Sequence, residues 1–121
     1  MPSPWKQEIG RLGEEAAANY LKAMGYRILE RNFRCRLGEI DLIALEKDEL
    51  VFVEVRTRTS LSLGLPQESV RHWKRHKLRE LASFYLKKFP DKTPPCRFDV
   101  VAVQVTKKGE VEKIELFRNA F

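Results

Sequence analysis

The sequence predicts an α/β sandwich in which a mixed central sheet is flanked by helices. Three observations carry this. The chain opens on a long segment of 3.6-residue apolar period, continues through three short alternating runs separated by turns, and then repeats the helix-to-strand change after Pro90. The resulting order is helix, three strands, helix, two strands, in which both helices must lay an apolar stripe on the sheet.

The first helix is expected over residues 5–24, stopped by Gly25. Its apolar arc holds Trp5, Ile9, Leu12, Ala16, Ala17, Tyr20, Leu21 and Met24, with Glu8, Arg11, Glu15, Asn19 and Lys22 opposite. Glu14 breaks the pattern, because at about 100° per residue it lies about 20° from Leu21, on the shoulder of the buried face. Adjacent glutamates therefore differ: Glu15 is solvated, and Glu14 can reach the rim of a cleft or snorkel to water. Strands follow at 26–34, 39–45 and 50–57. The loop TSLSLGLPQ leads into a second helix at 68–88, whose apolar arc includes Val70, Trp73, Leu78, Leu81, Phe84 and Tyr85. Lys74 and Lys77 project into that same arc, as if the helix start overhung the sheet and faced a groove. After DKTPP come a fourth strand at 97–105 and a fifth beyond Lys107-Lys108-Gly109.

With 121 residues, 43% hydrophobic and 33% charged, the chain suits one domain, 1–121, with one modest core. No apolar run approaches the roughly 18 residues of a membrane span, and MPSPWKQEIG lacks a signal-peptide core, so a cytoplasmic setting is expected. Cys35 and Cys96 form neither a CxxC pair nor a zinc pattern and read as two buried reduced thiols. The net charge of +6 is unevenly spread. Residues 27–36 hold four Arg against one Glu, and 71–88 hold seven Lys or Arg against Glu80 alone, whereas 37–54 carry six acids and one Lys. A basic surface attracts polyanions and brings nucleic acid into consideration, beside the plain alternative of ordinary solvated charges. The acid cluster between two basic segments is more informative than the total.

That centre is GEIDLIALEKDELVFVEVRTR, residues 38–58. Strand alternation puts Glu54, Arg56 and Arg58 on one face. A turn at Lys47-Asp48 makes paired residue numbers sum to 95, which sets Asp41 directly opposite Glu54 with Cβ atoms roughly 5 Å apart. A register slip of one residue would separate them. Two such carboxylates can share a proton, take Arg56 as counter-ion in a cross-strand ion network, or bind a divalent metal. Oxygen donors of this kind suit Mg²⁺, which polarises a phosphodiester oxygen and lowers the pKa of an attacking water. Elsewhere, His72 and His76 have metal-pair spacing on a basic face without nearby acids, which favours solvent or DNA. Asp99 in RFDVV reads as the structural partner of Arg97 or of a strand-one arginine.

The segments RLGEEAAANYLKAMGYRILERNFRCRLGEIDLIA, VFVEVRTR, RFDVVAV and RNAF, taken in order across the chain, resemble the YraN family of small bacterial proteins. That family is in turn similar to PD-(D/E)XK nucleases, above all the archaeal-type Holliday-junction resolvases. The resemblance implies a restriction-endonuclease-like αβββαβ core, a Mg²⁺ or Mn²⁺ cofactor and hydrolysis of phosphodiester bonds in structured or branched DNA. It makes Asp41 and Glu54 the metal-holding acids and Glu14, ahead of Gly25-Tyr26, a third that acts through water on the ion. Arg56 stands where those nucleases carry lysine, and Ile40 where many carry proline before the aspartate. Arginine keeps the charge and can grip phosphate by two bonds, but accepts no proton near neutral pH. In this reading Arg56 steadies the scissile phosphate, while Arg34, Arg36, Arg58, Lys74 and Lys77 hold the flanking backbone. A homodimer is expected by analogy, because a junction needs two cuts. The competing expectation is a non-catalytic nucleic-acid-binding module on the same scaffold.

Overall fold

The computed structural model describes residues 4–59 and 72–121. Its order is α1 (Pro4–Ala23), β1 (Arg27–Cys35), β2 (Gly38–Glu46), β3 (Glu49–Thr59), α2 (His72–Leu86), β4 (Cys96–Val105) and β5 (Val111–Phe117). The strands form one sheet in the order β1-β2-β3-β4-β5. β3 and β4 run parallel and all other neighbours antiparallel, so the expected mixed sheet is present. Residues 68–71 of the expected second helix, with Val70, lie outside the described residues, as do the side chains of Trp5, His72 and Trp73.

α1 ends where its sequence says it should. Gly25 takes φ 97, which only glycine adopts without strain, while Tyr26 N donates to Leu21 O at 2.9 Å and Gly25 N to Lys22 O at 3.0 Å. The helix lies on one face of the sheet, where Ile9, Ala17, Ala18 and Leu21 meet Leu42, Ala44, Val53, Val55, Val101 and Val103. Its buried arc is turned further toward Ala18 than the apolar pattern predicts. Leu12 and Met24, expected inside, are exposed, and Glu14 consequently stands within the buried sector rather than on its shoulder. The turn is permitted by Gly13. A Cβ there would sit 1.9 Å from Thr57 Oγ1, so α1 rests on β3 backbone to side chain with nothing between.

α2 covers the other face with Leu78, Leu81, Ala82 and Tyr85 against Ile40, Ile43, Leu50, Phe52 and Val100. Cys35 and Cys96 are free thiols, but not the two buried ones expected. Cys35 is half-buried at the end of β1, and Cys96 is exposed because it opens β4 at the sheet margin.

The β2–β3 hairpin has the expected register, its paired residue numbers summing to 95 from Glu46↔Glu49 to Leu42↔Val53. Beyond Leu42 the two strands part. The β1–β2 ladder breaks at the same level, running Arg31↔Leu42 and then Phe33↔Ile40 with no pair between Asn32 and Asp41. Side-chain alternation inverts there in both strands. Arg31 reaches Glu15 of α1, whereas Phe33, two residues on, packs edge-on against Tyr85 of α2. Leu42 likewise belongs to the α1 layer and Ile40 to the α2 layer.

Candidate metal site

The break in the sheet is where the acids gather. Where β2 leaves β3, Asp41 Oδ2 accepts a hydrogen bond from Val55 N at 2.8 Å, replacing the ladder with a side-chain cap. Glu14, Glu39 and Asp41 each bring a carboxylate oxygen into a group whose members lie within 4.8 Å of one another. Burial raises the Asp41 carboxyl to about 7, with Glu54 and then Glu14 adding to the rise and the Val55 N–H and Lys74 opposing it. Burial also raises Glu14, helped by Glu39 and Glu54 and opposed by Asn32 and Arg34. Both groups thus stand in negative surroundings that the protein offsets only in part. Three hard oxygen donors crowded in this way fit Mg²⁺ or Mn²⁺.

The predicted site residues are distributed as follows. Glu14 and Asp41 come together. Glu54, 6% exposed, is near enough for its charge to act on both, but it is not among the group of three. Its Oε1 accepts from Lys74 Nζ at 2.5 Å, with Arg56 Nη1 at 3.6 Å. Lys74, expected on the nucleic-acid backbone, is therefore engaged with the motif glutamate. Arg56 and Arg58 line an open pocket of about 340 Å³ together with Gly10, Glu14, Val55 and Thr57. Arg34 Nε bonds Glu39 Oε2 at 2.8 Å. Arg36 is exposed and lines a second pocket of about 250 Å³ with Leu37, Glu80, Ser83, Phe84 and Lys87. Lys77 is exposed above the β1–β2 turn, its Cε 3.7 Å from where a Cβ on Gly38 would lie. His76 pairs with Glu80 at 3.2 Å on the exposed face of α2.

Two residues of the site escaped the sequence reading. Glu39 had a signal, since alternation places it on the same side as Asp41 two residues later. Asn32 had a weaker one, a residue of poor strand propensity in the middle of a strand. Asp99, by contrast, is the structural group expected. It is fully buried and accepts from Tyr26 Oη at 2.9 Å, Arg97 Nε at 3.0 Å and Asn119 N at 2.9 Å. Arg97 also binds Glu46 and Glu49 at 2.6 and 2.7 Å. Burial and the adjacent Asp99 push the Tyr26 hydroxyl up to about 12.

Fold and site together define a class: an α/β protein whose five-stranded mixed sheet, flanked by two helices, is compatible with a restriction-endonuclease-like core. The chain belongs to the family described as "Uncharacterised protein family UPF0102" (YraN), whose model matches residues 13–103. It is similar to a UPF0102 protein of Pelotomaculum thermopropionicum, 53% identical over 113 residues that cover 93% of this chain and 94% of the relative. A UPF0102 protein of Moorella thermoacetica is 52% identical over 116 residues, covering 96% and 97%. That of Caldicellulosiruptor saccharolyticus is 48% identical over 116 residues, covering 96% and 98%. The matched span contains every acid of the candidate site.

Proposed function

We propose that this protein is a divalent-metal-dependent endonuclease that binds structured or branched DNA and hydrolyses its phosphodiester bonds. The observation that carries the reading is the convergence of Glu14, Glu39 and Asp41 within 4.8 Å at the parting of β2 and β3. Those three acids would hold Mg²⁺ or Mn²⁺, with Glu54 joining once Lys74 releases it. When bound, such an ion polarises the phosphodiester and lowers the pKa of water beside it. The chain's own contribution is to position and neutralise. Arg56 and Arg58, on the wall of the pocket that also contains Glu14, grip phosphate oxygens, and the planar guanidinium of Arg56 can make two bonds to one phosphate. Lys74, freed from Glu54, adds a movable positive charge, while Arg36 and Lys77 hold the flanking backbone. Two such subunits would serve the two cuts of a four-way junction.

The test is incubation of linear, flapped and four-way DNA with Mg²⁺ or Mn²⁺, beside Asp41→Ala. Cleavage that needs metal and vanishes in the variant, with DNA binding retained, is the expected result. Equal product from wild type and variant would sink the site assignment. One observation favours a second reading, a nucleic-acid-binding module without catalysis: Lys74 and Arg56 already lie 2.5 and 3.6 Å from Glu54 Oε1. That module would bind DNA without metal, weaken with salt and cut no substrate.

A further inference from the structure

Glu14 is held in the acid group by a residue of β1. Asn32 takes φ 51, the left-handed conformation that lets β1 invert its faces between Arg31 and Phe33. Glycine adopts it freely, asparagine and aspartate adopt it with little strain, and most other side chains resist it. With its amide nitrogen toward Glu14, Asn32 donates to Oε1 at 3.3 Å and to Oε2 at 3.2 Å. Each requirement alone admits other residues. Glycine meets the backbone demand but brings no donor, aspartate would add a negative charge against Glu14, and glutamine has the donor but not the backbone tolerance. Asparagine meets both demands at once.

We infer that Asn32 is a positioning residue of the metal site, fixing the Glu14 carboxylate toward Asp41 and Glu39. The inference rests on the metal reading above. The opposite strand shows the same substitution of side chain for ladder. At the missing pair, Asp41 turns to Val55 of β3 while Asn32 turns to Glu14 of α1. The two polar side chains that would have faced each other across the ladder instead tie the site to its two neighbouring elements. Loss of an outer hydrogen bond to a ligand of this kind weakens metal affinity by roughly 10-fold to 100-fold.

The test combines Asn32→Gly, Glu14→Gln and the double variant, with Mn²⁺ binding followed by calorimetry. Asn32→Gly keeps the backbone conformation, so its circular dichroism should match wild type while Mn²⁺ affinity falls about 10-fold. In the Glu14→Gln background the same change should cost little more, since Asn32 acts through Glu14. Without metal, the Asn32 side-chain amide resonances should shift on Glu14→Gln. Unmoved resonances, or equal Mn²⁺ affinity of wild type and Asn32→Gly, overturn the inference. Wild type that binds no Mn²⁺ overturns the metal reading itself, a result distinct from both.

Discussion

Alanine at Gly13 and alanine at Gly10, one turn apart on α1, should have effects of opposite sign. At Gly10 an added Cβ meets no atom of the described residues within 4 Å. The variant therefore collects the ordinary advantage of alanine over glycine in a helix, about 0.5–1 kcal/mol. At Gly13 the same methyl would lie 1.9 Å from Thr57 Oγ1, 2.7 Å from its Cγ2 and 2.8 Å from its Cβ. Rotating Thr57 about χ1 moves the oxygen and the methyl but leaves its Cβ in place, so helix and strand must separate. Overpacking of this kind costs about 1–3 kcal/mol, against which the helix preference returns about 1 kcal/mol. A net loss of about 1 kcal/mol follows, roughly 4 °C in Tm for a chain of this length. Urea unfolding of the two variants reads the difference directly. Because Glu14 adjoins Gly13, the same retreat should weaken Mn²⁺ binding in Gly13→Ala while leaving Gly10→Ala near wild type. Equal stabilisation by both alanines would refute the close approach and, with it, the placement of Glu14.

Further variants separate site from scaffold. Asp41, held near 7 by burial, keeps a proton in the folded protein that the unfolded chain has already released above its ordinary value of 3.8. This contribution favours folding fully below that value and is lost as pH rises through about 7. Metal-free wild type should therefore lose stability between about pH 4 and 7, whereas Asp41→Asn should be flatter and more stable at pH 8, by a few kcal/mol at most. Mn²⁺ should raise the Tm of wild type at pH 8 and not that of the variant; identical pH profiles without metal would contradict the burial of this charge. Lys74→Met should cost about 1–3 kcal/mol in urea unfolding by stripping its partner from the buried Glu54, yet strengthen Mn²⁺ binding by removing a competing cation. Weaker Mn²⁺ binding would show that Lys74 supports the site instead of occupying it. Arg97→Met should lower stability by about 3–5 kcal/mol, since Asp99 would remain buried beside Glu46 without its guanidinium. A loss below about 1 kcal/mol in thermal unfolding would refute that role.

Most of the scaffold was legible because it obeys simple periods. Alternating runs gave the strands, the Lys47-Asp48 turn gave the β2–β3 register, and Gly25 gave the end of α1. The carboxylates of Glu14 and Asp41 were legible for the opposite reason, as charges where the period called for apolar residues. What could not be read was the common break at Asn32 and Asp41. A rule of period two assumes that the strand never inverts, and a single residue at φ 51 is enough to invert it. The pairing of Lys74 with Glu54 was hidden for a related reason. The lysine's place in the apolar arc was visible, but its acceptor lies on β3, 20 residues earlier, and only the packing of α2 on the sheet brings them together.

The sheet contains two aspartates in the middle of strands, and their surroundings tell them apart. Asp99 is enclosed by donors: the Tyr26 hydroxyl, the Arg97 guanidinium and the Asn119 N–H. A carboxylate so surrounded is already complete, and its purpose is to hold β4, the α1–β1 connection and the chain after β5 together. Among the described residues, Asp41 receives one N–H, from Val55, and is otherwise faced by Glu54, Glu14 and Glu39, with Lys74 as a counter-charge held by Glu54. Such crowding costs stability that a few donor side chains would relieve, as they do at Asp99 only a strand away. Arg97 completes Asp99 directly, whereas the cations near Asp41 are engaged with Glu54 and Glu39, a distribution that leaves room for a divalent cation in the proposed reading.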